Sequence, residues 1–157
     1  MEIIIGEKNK NLRQKSKPVE NLNREIRDLI AKMREIMRKN NGAGLAAVQI
    51  GMPLRIIVCE INDKFYAFIN PEIVNFSKET TIIEEGCLSL PGFYGEVERP
   101  KKITLKAITP EGKKTKIKVF GLLARIIHHE LDHLEGILFT DKASGVKEEK
   151  TIRKMAI

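Results

Sequence analysis

From Leu22 the apolar positions fall at Leu22, Ile26, Leu29, Ile30, Met33, Ile36 and Met37, with Arg, Lys and Glu elsewhere. Spacings of three and four put them on one stripe of a helix, so the stretch reads as an amphipathic helix packing one face on a core. Asn21 or Asn23 can cap its start, and Asn40-Asn41-Gly42 stops it. The residues before it, 1–20, read as irregular and close at Pro18.

Beyond Gly51 the period changes from helical to extended. Leu54–Glu60 is rich in β-branched residues, Asn62-Asp63-Lys64 reads as a hairpin turn, and Phe65–Ile69 follows as a second strand. Asn70-Pro71 is expected to break that strand, after which Glu72–Phe76 and Thr80–Glu84 read as a further strand pair. Phe93–Arg99 runs extended to Pro100. Ile103–Ile108 and Thr115–Phe120 alternate about Pro110-Glu-Gly-Lys113 as a β-hairpin. Leu122, Leu123, Ile126, Ile127, Leu131 and Leu134 then mark a second helix, bounded by Gly121 and Gly136 and apolar enough to be buried. The last dozen residues form a short charged segment, a helix candidate. The predicted fold is α+β, with antiparallel or mixed β-sheets packed around that central helix and an amphipathic helix near the N-terminus.

Composition narrows the class. The chain has 157 residues, 42% hydrophobic and 31% charged, which suits one globular domain over residues 1–157 with a single core. No run approaches the ~18 apolar residues of a membrane span, and Met1–Gly6 lacks the basic lead and apolar stretch of a signal peptide, so a cytoplasmic location is expected. The cysteines, Cys59 and Cys87, are expected to be free in a reducing compartment. The net charge of +7 suits work near polyanions such as ribosomal RNA, but the lysines and arginines are spread without a dense block or interleaved aromatics. Read from sequence, that is a weak nucleic-acid signal.

The chemistry concentrates in the second helix, which holds all three histidines. His129 and His133 are one helical turn apart on one face and can grip one metal ion. Glu130 beside them can take a proton from a metal-bound water, which is the logic of H-E-x-x-H. His128 points about 100° away from His129 and cannot share that ion. A catalytic site of this kind wants a third protein ligand. The extended pattern downstream fails at Phe139, Glu135 faces the wrong way, and Asp141, Glu148 and Glu149 carry no distinguishing mark. The better candidate lies upstream in Glu84-Glu-Gly-Cys-Leu-Ser-Leu-Pro-Gly92, where Cys87 ends a strand before a Pro-Gly turn. There it is expected to be more exposed than Cys59, which reads as core. A third stretch, Gly42-Ala-Gly-Leu-Ala-Ala-Val-Gln-Ile-Gly51, strips the backbone of bulk so that something can approach it closely, or marks a tight connection. Gln49 is then an amide in apolar company that must be satisfied or await a ligand.

Three blocks therefore stand together: Gly42-Ala-Gly-Leu-Ala-Ala-Val-Gln49, Glu85-Gly-Cys-Leu-Ser89 and His129-Glu-Leu-Asp-His133. In this order and spacing the chain resembles the peptide deformylases, from its first helix to Asp141. The resemblance implies a hydrolase that removes the N-formyl group from the formylmethionine of newly made polypeptides and releases formate. By it, Cys87, His129 and His133 bind one divalent metal ion, Fe²⁺ in nature and often replaced by Zn²⁺, Ni²⁺ or Co²⁺. Glu130 acts as general acid and base toward a metal-held hydroxide. Gln49 and the backbone N–H of Leu88 hold the developing oxyanion, and Gly44 meets the peptide through its backbone. For the methionine side chain we expect an apolar slot lined by Ala43, Leu122, Ile126 and the stem of Arg125. The implied partners are N-formylmethionyl nascent peptides and, transiently, the ribosome, with no membrane, no sequence-specific nucleic acid and a monomer favoured. His128 stands where the family often has Gln. The short C-terminal segment puts docking through a long terminal helix in doubt. Asp132 and Arg99 are expected to form a buried pair holding the metal helix.

Two other classes draw on the same residues. A zincin-type endopeptidase shares the helix but wants the missing downstream ligand and a longer, two-lobed chain. A basic RNA-associated module with a structural metal wants four protein ligands, and no convincing fourth stands out.

Overall fold

In the computed structural model, which describes residues 1–151 and 157, the first predicted helix is α1, Arg24–Lys39. Asn23 caps it, its side chain accepting from the Ile26 N–H at 3.1 Å. Leu29, Ile30, Met33, Ile36 and Met37 are its buried stripe, each contributing on the order of 2 kcal/mol by leaving water.

The strands are β1 (Gly44–Ala46), β2 (Ile56–Ile61), β3 (Lys64–Phe76), β4 (Thr80–Cys87), β5 (Leu90–Pro100), β6 (Lys102–Ile108), β7 (Lys114–Phe120) and β8 (Ser144–Glu148). They form two antiparallel sheets, one ordered β1-β2-β3-β6-β7 and one ordered β4-β5-β8. Helix α2, Gly121–Leu134, follows β7, and a single turn, α3, spans Phe139–Lys142. The β2–β3 hairpin turns at Asn62 and Asp63, both with positive φ (51° and 61°), which suits the right-handed strand twist.

Side-chain alternation in the large sheet builds two cores. Ile57, Cys59, Phe68, Leu105, Ala107 and Val119 face one way and pack with Ile126, Ile127, Leu131 and Leu134 of α2. Leu45, Ile56, Val58 and Ile69 face the other way and pack under α1. The large sheet is thus sandwiched between the helices, and α2 lies against its β1 edge, where the glycine-rich stretch sits. Cys59 is a free, buried core residue, as expected, and burial raises its thiol well above the usual range.

Three expectations need correction. Asn70-Pro71 does not end a strand, because β3 continues through it by a register shift against β6. Asn70 takes a positive φ of 52°, which asparagine tolerates, and its amide bonds both Val19 N (2.8 Å) and Val19 O (3.0 Å). Second, Glu72–Phe76 pairs with β6 and not with Thr80–Glu84, whose strand β4 pairs instead with β5 in the other sheet. The partners are long range, β6 for one segment and β5 for the other, and local pattern does not reveal them. Third, part of the C-terminal segment is strand β8 rather than helix, while residues 152–156 lie outside the described residues.

Candidate metal centre

Cys87 ends β4, while His129 and His133 sit one turn apart on α2. Their ligand atoms all lie within 4.8 Å of one another, and the three are buried. Cys87 Sγ is 3.4 Å from His133 Nε2. The thiol is not the exposed loop group expected, being 2% exposed. The β4–β5 ladder, which pairs Cys87 with Leu90, carries it beneath the surface.

A second layer aims these ligands. His129 Nδ1 faces Glu85 Oε1 at 2.8 Å, which leaves Nε2 for the site. Glu85 is held from three sides. Arg99 donates from Nε (2.6 Å) and Nη2 (2.9 Å), and Arg125 donates from Nη1 at 2.5 Å. Arg99 Nη1 also donates to Asp132 Oδ2 at 2.9 Å, the expected buried pair, and Lys142 Nζ reaches Asp132 at 2.9 Å. Burial alone would raise the Glu85 carboxyl, but His129 and the Arg99 guanidinium outweigh it and hold it far below the usual carboxylate range. This cluster bolts β4 and β5 to α2.

Neither Glu85 nor the commitment of Arg125 to it was foreseen from sequence. Arg125 also donates to Val97 O (2.9 Å) and Thr81 O (2.8 Å), so its charged end is tied into the cluster. A usable signal existed: a ligating histidine needs a partner for its second nitrogen, and Glu85 stands two residues before Cys87.

Gln49 is fully oriented. Its Oε1 accepts from the Ala46 N–H at 2.9 Å, which turns Nε2 toward Ser89 Oγ (3.0 Å) and Cys87 Sγ (3.7 Å). Gly44 lies against Glu130 and Ile126. A Cβ built there would fall 2.6 Å from Glu130 Oε1 and 2.9 Å from Ile126 Cγ2. Among the remaining candidates, Ala43 and Ile126 are buried, Leu88 is half-buried beside the site, and Leu122 is 46% exposed at the surface.

The polar atoms left over fit a divalent cation. His129 Nε2 and both carboxyl oxygens of Glu130 are buried without a hydrogen-bond partner, an arrangement too costly to persist without a ligand. Burial, then the nearby Glu130 carboxylate, push the Cys87 thiol up to about 12, so only a cation would draw out its thiolate. Burial likewise keeps the His133 imidazole neutral, the form that ligates, and lowers His128 to about 4. Desolvation also raises the Glu130 carboxyl well above the ordinary carboxylate range. One thiolate and two imidazoles form a donor set suited to Fe²⁺, Ni²⁺, Co²⁺ or Zn²⁺.

Comparison with known proteins gives the same picture. A model of the family described as polypeptide deformylase matches residues 1–149. A peptide deformylase of Pelagibacter ubique is 47% identical over 158 aligned positions, covering 98% of this chain and 92% of that protein. The crystal structure of a peptide deformylase from Thermotoga maritima superposes with a TM-score of 0.88 at 37% identity, covering 90% of this chain and 96% of that one. A peptide deformylase from Synechococcus elongatus in complex with actinonin gives 0.89 at 35% identity, over 92% of this chain and 79% of that one.

Proposed function

The chain belongs to the polypeptide deformylase family, and we infer from its site how it removes the N-formyl group from the N-terminal formylmethionine of nascent polypeptides, releasing formate. The observation that carries the reading is the buried trio of ligand atoms within 4.8 Å, with the unpartnered Glu130 carboxyl beside Gly44.

Cys87, His129 and His133 would hold one divalent cation, which would supply Lewis acidity and lower the pKa of a water toward neutral. Glu130 takes the proton of the attacking water and returns it to the departing amine. Gln49 Nε2 and the Leu88 backbone N–H donate to the oxygen on which charge develops, stabilising it by ~3 kcal/mol each when preorganised. Ala46 contributes by fixing which end of the Gln49 amide faces the site.

Substrate binding follows from the sheet. β1 is an edge strand of the large sheet, so an extended peptide can add beside Gly44 through backbone hydrogen bonds. The tight approach of Gly44 to Glu130 and Ile126 favours a formyl hydrogen over an acetyl methyl. Ala43, Ile126, Leu122 and the aliphatic stem of Arg125 would line the methionine slot. Fe²⁺ is our assignment for the natural ion. We read the chain as one catalytic domain that acts as a cytosolic monomer near the ribosome. Among the described residues no helix is long and apolar enough to cross a membrane.

The test is anaerobic assay of the Fe²⁺- or Ni²⁺-loaded protein on formyl-Met-Ala-Ser beside acetyl-Met-Ala-Ser. Formate from the first and no acetate from the second is the expected result. Protein carrying one ion per chain that releases no formate would contradict the reading.

A further inference from the structure

The large sheet is covered unevenly. One face packs on α2 along its length, but α1 covers only the β1–β2–β3 part of the other face, ending at Ile69 and Ile108. The outer face of the β6–β7 hairpin remains open. Its register places Lys114, Lys116 and Lys118 there at alternate positions of β7, and Lys102 and Lys106 on β6 with Thr104 between them. Lys106 stands directly opposite Lys116, an arrangement of like charges that destabilises a ladder. The acid nearest in register is Glu72, opposite Lys106 on β3. None of the five lysines forms an ion pair among the described residues, while Lys101, one position off this face, pairs with Glu79. Five cations on one two-stranded ribbon, with one acid opposite them in register, favour an external polyanion.

At one end of this row the surface changes character. Phe120, 65% exposed, borders a hollow of about 310 Å³, with Lys102 and Lys118 at its rim and Asn75, Ser77 and Thr104 also lining it. Along the sequence, no aromatics interleave with the lysines of this region. Folding brings the Phe120 ring among them, because Phe120 pairs with Lys102.

We propose that this face binds single-stranded RNA, the lysine rows tracking the phosphate backbone and the hollow beside Phe120 seating an unstacked base. The β7 lysines repeat at about 7 Å, and Lys102 and Lys106, two such steps apart on β6, lie in a second row about 5 Å across, a cationic track for a chain of phosphates. Exposed aromatic rings beside such a track are how sequence-tolerant single-strand sites hold bases. A duplex keeps its bases stacked and offers the ring nothing. A membrane surface would use a broad apolar face, and this face carries one exposed ring in a field of lysines. The site is separated from the metal centre by the sheet, so an RNA held here leaves the β1 edge open to peptide.

The test is fluorescence anisotropy of a short, unstructured, labelled oligouridine against the metal-loaded protein over a KCl series. With all five lysines engaged, log K should fall against log salt with a slope of about −3.5. Lys106→Ala with Lys116→Ala should make that slope shallower by about 1.4. Phe120→Ser should weaken binding about tenfold and leave the slope unchanged. Both variants should release formate from a short formyl peptide at the wild-type rate, which shows that they are folded. Absence of binding at low salt, affinity unchanged in both variants, or preferential binding to phosphatidylglycerol vesicles or polyglutamate would overturn the proposal.

Discussion

Glu85 Oε1 lies 2.8 Å from His129 Nδ1, and the same carboxylate receives both Arg99 and Arg125. One side chain thus orients a metal ligand and joins two strands to the metal helix. Glu85→Gln keeps the shape but leaves two buried guanidinium groups short of charge. We expect metal affinity or kcat/KM to fall 10- to 100-fold, and stability to fall by about 3–5 kcal/mol. Metal titration and urea denaturation of the variant measure the two effects separately.

The acid limb of stability should trace to the same carboxylate and to Glu60. Hydrogen bonds from Arg38, and then from Arg34, overcome burial and lower the Glu60 carboxyl to about 2, tying α1 to β2. Both groups are depressed in the folded state. Their contributions are therefore fully present above the ordinary carboxylate pKa and disappear as pH falls through the folded values. For Glu60 that window runs from about 4.5 down to about 2. Urea midpoints measured down this range should fall steeply for the wild type and less steeply for Glu60→Gln.

Gly44→Ala tests the close approach of β1 to the catalytic helix. The added methyl would meet Glu130 Oε1 at 2.6 Å and Ile126 Cγ2 at 2.9 Å, so Glu130 must move. The variant should fold with a cost of about 1–3 kcal/mol. Its kcat should fall by about 10²-fold or more as the proton shuttle is displaced. Steady-state kinetics beside circular dichroism separates that outcome from simple unfolding.

Cobalt reports on the ligand set independently of activity. Co²⁺-loaded wild type should show thiolate-to-metal charge transfer in the near ultraviolet, and Cys87→Ser should lose it. Chelation should lower Tm, because the ion binds the folded chain. An unchanged spectrum in Cys87→Ser would remove Cys87 from the site.

Much of this arrangement is written in local pattern. The three- and four-residue spacing from Leu22 to Met37 becomes α1 under its Asn23 cap. The Asn62-Asp63 turn and the alternation of β6 and β7 survive folding because neighbours in sequence satisfy them. The motif residues Gln49, Cys87, His129, Glu130 and His133 converge on one site. Local pattern failed where long-range pairing decides. Cys87 looked like a loop thiol, yet the β4–β5 ladder buries it. Asn70-Pro71 looked like a break, yet Val19, distant in sequence, satisfies the Asn70 bulge. Glu85 looked like one acid among several, and only the tertiary convergence of Arg99 and Arg125 marks it as the hub.

Formate release by wild type and Glu130→Gln, each carrying the same measured amount of metal, tests the central assignment most directly. Glu130 is buried, has no hydrogen-bond partner and touches none of the ion cluster, so its amide should leave fold and metal content intact. The account predicts wild-type turnover of formyl-Met-Ala-Ser and a loss of 10²- to 10⁴-fold in the variant at equal metal occupancy. Turnover by the variant within a few-fold of wild type would contradict it and require a different proton carrier.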